Sequence, residues 1–195
     1  MKQIFRTSIC LWIILTSLAY AENGQQKMPN EGMVVIDKSS GRAIFVMPGQ
    51  FVIASKGETA IVAKSANFNV QVKIRTHEVQ IGKPGGRIPD VIRSSCSYSQ
   101  YPCSIVDYLD IFVNDKRILV PRSVFCDLAD LNTGEVRIET RKGILKLTGG
   151  DASASYRVKI EFDEERVKRR VTSSGMLPEE PSQETIYRLP ILKGE

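Results

Sequence analysis

The chain is 195 residues long and 42% apolar, with 27 Lys and Arg against 22 Asp and Glu, a formal net charge of +5 and one histidine. This is enough material for one domain with a real core or for two small ones. The bases are interleaved with acids (Arg137, Glu139, Arg141; Arg157, Lys159, Glu161) and no aromatic residues alternate with them, which fits solvated sheet faces and argues against a nucleic-acid track.

Residues 1–21 read as a removable signal peptide. Lys2 and Arg6 supply a positive start, Ile9 to Leu18 form an apolar stretch too short to span a bilayer, and Ala19-Tyr20-Ala21 suits a signal peptidase, with cleavage expected after Ala21. No Leu-Ala-Gly type approach precedes Cys10, so a lipidated cysteine is not expected. Loss of Lys2 and Arg6 with the leader lowers the net charge from +5 to +3. A flexible segment 22–32 follows, and then a single β domain over 33–192 with no integral membrane span.

That domain is expected to be all-β. MVVI, RAIFVM, FVIA and TAIVAK are apolar runs separated by short turns, and they predict a meander over 33–81 packed on a C-terminal sheet. Val70, Val72 and Ile74 alternate with Gln71, Lys73 and Arg75, which puts His77 on the polar side unless a bulge near Thr76 reverses it. Turn signals stand at Ser39-Ser40-Gly41, Pro48-Gly49, Lys56-Gly57, Asn114-Asp115, Thr133-Gly134, Lys142-Gly143 and Gly149-Gly150-Asp151. Short strands punctuated in this way predict an antiparallel β-sandwich or a partly open barrel.

Residues 82–104 break the rhythm. This loop contains GKPGGRIPD and SSCSYSQYPCS, and a connection of such length is expected to be stapled, functional or mobile. A Cys96–Cys103 bridge would close part of it and stabilise by about 2.5 kcal/mol on the chain-entropy estimate; a Cys103–Cys126 pairing stays open. In PRSVFCDLADL, Ser123 as N-cap and the cluster Val124, Phe125 and Leu128 predict one short helical turn near 123–128, with Cys126 buried and free.

Tyr156, Val158, Ile160 and Phe162 alternate with Arg157, Lys159 and Glu161, the clearest strand in the chain. The knot GGDASAS before it reads as a hairpin connection: a P-loop needs a helix after its glycines, and here a strand follows. In RVKRRV, Val167 and Val171 share a face with Arg169, so an inward Arg169 would need Asp151, Glu161 or Glu184 as partner.

Reactive constellations are poorly supplied. His77 would have to serve as base for Cys126 or a serine such as Ser153, and no G-x-S-x-G elbow occurs. No cysteines stand in C-x-x-C spacing, so neither a metal nor a cofactor is expected and no catalytic residue is assigned. Binding is expected instead on exposed loops, through Arg87, Tyr98 and Tyr101 of the long loop and Asp151, Ser153 and Ser155 of the knot.

The stretches IFVNDKRILVPRSVFCDLADL and TGGDASASYRVKIEFDEERVKRR resemble small exported bacterial proteins that carry P-x-S followed by G-G-D-x-S-x-S-Y. The resemblance covers the C-terminal half. It implies export and an intact β domain, and it assigns no role to any residue. The functional expectation is a periplasmic or secreted interaction module whose partner is a protein or a cell-envelope polymer; a His77-dependent hydrolase and a structural subunit of an envelope assembly are the alternatives.

Overall fold

The structure, a computed structural model, describes residues 49–80, 96 and 102–188, together with the strand backbones of 33–36 and 43–46. Among the described residues the chain is nearly all β. The strands are β1 (Met33–Ile36), β2 (Ala43–Val46), β3 (Phe51–Val52), β4 (Gly57–Ala63), β5 (Val70–Val79), β6 (Cys103–Val113), β7 (Lys116–Arg117), β8 (Leu131–Glu139), β9 (Lys142–Gly149), β10 (Tyr156–Phe162), β11 (Val167–Ser174) and β12 (Pro181–Ile186). The period-two pattern is their cause: along most of β5 and β10 every second side chain is buried.

Two antiparallel sheets pack together as a sandwich, and no barrel closes. One runs β12-β11-β10-β9-β8-β3, the other β4-β5-β6-β7, and β1 pairs with β2 in a separate two-stranded ribbon. Leu145, Leu147, Ile160 and Phe162 from the first sheet share one apolar cluster with Ile61, Val72, Ile74, Leu109 and Ile111 from the second. Each side chain of this size contributes about 1.5–3 kcal/mol on burial, so the facing sheets are held chiefly by this cluster.

The expected N-terminal meander is not formed. β3 pairs with β8 at the edge of the six-stranded sheet, whereas β4 pairs with β5 in the four-stranded one. The chain changes sheet at Ala54-Ser55-Lys56, and this corner is tied from both sides. Thr76 donates its hydroxyl to the Ala54 carbonyl at 2.7 Å, Ser104 donates to the Ser55 carbonyl at 2.7 Å, and the Ser55 hydroxyl reaches Glu78 at 3.0 Å.

Asn114 and Asp115 form the two-residue turn between β6 and β7, both with positive φ. Two of the other expected turns lie inside strands. Thr133-Gly134 belongs to β8 and Lys142-Gly143 to β9, and the hairpin between them turns at Thr140-Arg141. Gly134 serves packing: a Cβ there would come within 2.5 Å of Ile61 Cδ1 on the facing sheet. The GGDASAS knot is the expected hairpin connection. Gly150 takes φ +72°, a short 3-10 turn spans Ala152–Ala154, and β9 and β10 close in register from Gly149 opposite Tyr156.

The helical turn is also present, as a 3-10 turn over Arg122–Val124 with Pro121 in the capping position that the sequence suggested for Ser123. Val124, Phe125 and Leu128 enter the core. Cys126, expected to be buried, is free and exposed, because the three apolar neighbours occupy the inward positions of the turn. The Cys96–Cys103 bridge is formed, with a Cα–Cα distance of 5.8 Å, which sets aside the Cys103–Cys126 pairing.

Register shifts interrupt the ladders at Asp107 of β6, Asn132 of β8, Lys168 of β11 and Ser182 of β12, and the first and third redirect charged side chains. In β6, Tyr108 and Val106 pair with consecutive residues Arg75 and Thr76, leaving Asp107 as an extra residue. Because the insertion is on β6, β5 keeps its parity and His77 stays on the polar side. On β6 itself the parity flips, and Cys103 and Ile105 form a second small cluster with Ala129. In β11, Arg169 pairs with Glu161 and Val167 with Phe162, so Lys168 is the extra residue. Arg169 consequently lies on the outer face with Glu161 at 3.3 Å and Glu184 at 2.7 Å, two of its three expected partners. The arginine that turns inward is Arg170, 3% exposed and paired with Asp127 at 2.8 Å.

Tyr156 pins the corner before β8. Its hydroxyl donates to the Ala129 carbonyl at 2.5 Å and accepts from the Ala129 N–H at 3.2 Å, and burial raises its pKa. Removing the hydroxyl in Tyr156→Phe leaves both backbone groups unpaired. The expected loss is about 1–3 kcal/mol, read as a lower urea midpoint at unchanged m-value.

Candidate functional site

Of the residues the sequence singles out for binding, Arg87, Tyr98 and Tyr101 lie outside the described residues. Ser153 and Asp151 are exposed, and Ser155 is half-buried with its carbonyl accepting from the Gly175 N–H at 2.8 Å. Ser155 is therefore built into the contact between the knot and the β11–β12 loop. His77 is exposed and its Nδ1 lies 2.6 Å from Asp107 Oδ1. That supplies a base and an orienting acid, but among the described residues no thiol or hydroxyl hydrogen-bonds to the imidazole, so no nucleophile is brought to it.

The fold brings one unexpected group together at the disulfide. One atom each from Cys96, Cys103 and the 1% exposed Asp130 lie within 4.8 Å of one another. With the two sulfurs bonded to each other, this group offers a cation a single carboxylate, and that carboxylate already accepts the Ser104 N–H at 2.8 Å.

A cleft of about 250 Å³ opens where the two sheets are spliced, lined by Leu119, Pro121, Arg166, Val167, Ile186, Tyr187 and Arg188. After β7 the chain leaves the four-stranded sheet, and Leu119 bridges Arg166 in parallel: its N–H donates to the Glu165 carbonyl at 2.8 Å and its carbonyl accepts from the Val167 N–H at 3.0 Å. From the other direction β12 ends, and Tyr187 donates its N–H to the Lys168 carbonyl at 2.9 Å. The bulge residue Lys168 is thus itself the second point of attachment.

The cleft has apolar lips and an unsatisfied polar interior. Leu119 and Ile186, both lining the cleft, are 56% and 58% exposed. Arg166 Nε and Nη1 and Tyr187 Oη are buried without a hydrogen-bond partner. Such groups are rare in folded proteins, and each costs about 1–3 kcal/mol while it stays unpaired. Arg170 Nε, Asp127 Oδ1 and Thr172 Oγ1 are also buried and unpartnered, but Arg170 has its carboxylate whereas no ion pair reaches Arg166 among the described residues.

Asp163 fixes where Arg166 sits. Its Oδ1 accepts the N–H groups of Glu165 at 2.9 Å and Arg166 at 3.0 Å, and Lys168 Nζ lies 2.6 Å from its Oδ2. Burial alone would raise the Asp163 pKa; the Lys168 hydrogen bond and the two backbone donors outweigh it and hold the carboxyl below its usual range. The sequence shows this acidic turn as DEER, and the structure makes it a frame for the guanidinium. Nothing in the local pattern marks Tyr187 or Leu119, which reach the cleft through pairings made elsewhere in the chain.

No known protein family, curated protein or solved structure matches the chain, so the resemblance of the C-terminal half to small exported proteins gains no counterpart. Among the described residues no helix is long and apolar enough to cross a membrane.

Two outcomes test the cleft. Arg166→Met keeps the aliphatic stem and removes the unpaired donors, so it is expected to raise stability by about 1–3 kcal/mol in urea titration, the reverse of what deleting a structural ion pair does. For Asp163, a depressed folded pKa means that its contribution is complete above the unfolded value near 4 and is lost as pH falls through the folded one. The Glu165 and Arg166 amides, which donate to Asp163, should keep their hydrogen-exchange protection from pH 7 to about pH 5 and lose it as the pH falls below about 4.

Proposed function

We propose that the protein is an exported interaction module that receives a carboxylate-bearing ligand in the cleft between Leu119 and Ile186. The observation that carries this reading is the unmet hydrogen-bonding capacity of Arg166 and Tyr187 beneath two exposed aliphatic side chains. A carboxylate accepts from guanidinium and phenol donors together, and an adjoining apolar group covers Leu119 and Ile186. Export is supported by the leader pattern of residues 1–21 and by the Cys96–Cys103 disulfide, a bond that persists in oxidising compartments. The partner is a protein or an envelope polymer that presents such a group, and no cofactor enters the reading.

N-acetyl-leucine, a carboxylate with an apolar side chain, is the probe. Titration into the mature chain is expected to shift the amide resonances of Leu119, Arg166 and Tyr187 in a saturable manner. N-acetyl-leucinamide, which lacks the charge, should leave them in place, and so should N-acetyl-leucine added to Arg166→Met. Equal shifts from acid and amide, or none from either, reject the reading.

A further inference from the structure

β12 is the terminal strand of the six-stranded sheet, and it ends at the cleft. Five of its six residues are exposed. Edge strands are normally guarded by lysines, inward charges, prolines or covering segments. Here Pro181 and a bulge at Ser182 guard only the first two positions, which leaves Gln183–Ile186 open, and the strand has no Lys. Its one acid, Glu184, is drawn back to Arg169 at 2.7 Å. The strand therefore offers backbone donors and acceptors over Gln183–Ile186 and an unpartnered guanidinium at its C-terminal end.

The charges flanking this edge are polarised. Arg166 and Arg188 line the cleft at the Ile186 end, while Glu179 and Glu180 precede Pro181 and are exposed. Every pairing in the six-stranded sheet is antiparallel. A segment added in the same sense starts beside the cleft and runs toward Pro181. Its first residues meet positive charge and its last residues meet negative charge.

Resting on the reading that the cleft takes a carboxylate, we propose that the partner is an extended polypeptide that adds to β12 as an antiparallel strand. An Asp or Glu side chain near its start enters the cleft, with an aliphatic neighbour against Leu119 and Ile186, and a Lys or Arg lies six to seven residues later beside Glu179 and Glu180. Main-chain hydrogen bonds to β12 supply affinity, and the two charges set direction and register.

The test uses the acetylated, amidated octapeptide Asp-Leu-Thr-Val-Ser-Val-Thr-Lys against the whole mature protein. Expected results are saturable binding, added exchange protection within Gln183–Ile186, and affinity at least tenfold weaker for three controls. These are the Asn-for-Asp peptide, the peptide with its two charged ends exchanged, and a peptide N-methylated at alternate residues. N-methylation removes strand-forming donors without touching the protein, so a folding defect cannot produce the loss. Arg166→Met, expected to be the more stable protein, should bind at least tenfold more weakly. Binding that ignores N-methylation, or a response confined to the cleft amides, overturns strand addition. If N-acetyl-leucine binds while the octapeptide does not, strand addition fails and the cleft reading stands; if neither binds, both fail.

Discussion

The period of two along a strand governs this molecule, because every residue inserted between paired strands exchanges the faces beyond it. Of the four such irregularities, those at Asp107 in β6 and Lys168 in β11 set two special regions apart from the core; the others fall at Asn132 in β8 and Ser182 in β12. Beyond Asp107 the parity of β6 turns Cys103 and Ile105 away from the main core and toward Ala129, which places the disulfide at that corner. Around Lys168 the same effect sends Arg169 out, brings Arg170 in, and leaves room beside Arg166. Without the insertions, regular alternation would put Asp107 on the face of Leu109 and Ile111, and Arg169 on the face of Val167.

The costs of these departures are unequal. Arg170 is buried with Asp127, whose side chain is 36% exposed, so its charge is compensated at the edge of solvent. Tyr156 satisfies both backbone groups of Ala129. Arg166 and Tyr187 are different, since buried donors on them find no acceptor. Three of the six buried side-chain atoms left without a partner among the described residues, Arg166 Nε and Nη1 and Tyr187 Oη, belong to residues that line the cleft. Departures of this kind concentrate at functional or strained sites in folded proteins.

How much was legible in the sequence follows from the same periodicity. Strands with uninterrupted alternation, β5 and β10, could be read directly, as could the glycine hairpin between β9 and β10. The Cys96–Cys103 bridge was legible because the two cysteines bracket a short polar segment. Glycine was a poorer guide: Gly134 and Gly143 looked like turns but lie within strands. An inserted residue leaves no mark in composition, so regular alternation offers Arg169 as the candidate for an inward position that Arg170 in fact occupies. Cys126 was read as buried because its neighbours are apolar, although those neighbours fill the inward positions. The cleft was out of reach, since Leu119 and Arg166 are adjacent only through a bridge between segments far apart in the chain. The valines and arginines of RVKRRV were its one local signal, as a strand whose pattern could not be regular.

The bridge from Leu119 to Arg166 has a mechanical meaning. Most neighbouring strands here belong wholly to one layer, and the layers hold together by contact between side chains. At this point backbone hydrogen bonds cross from one layer to the other, so the two layers cannot slide past each other without breaking them. A guest seated there would clamp the joint itself and stiffen parts of the molecule that it never touches.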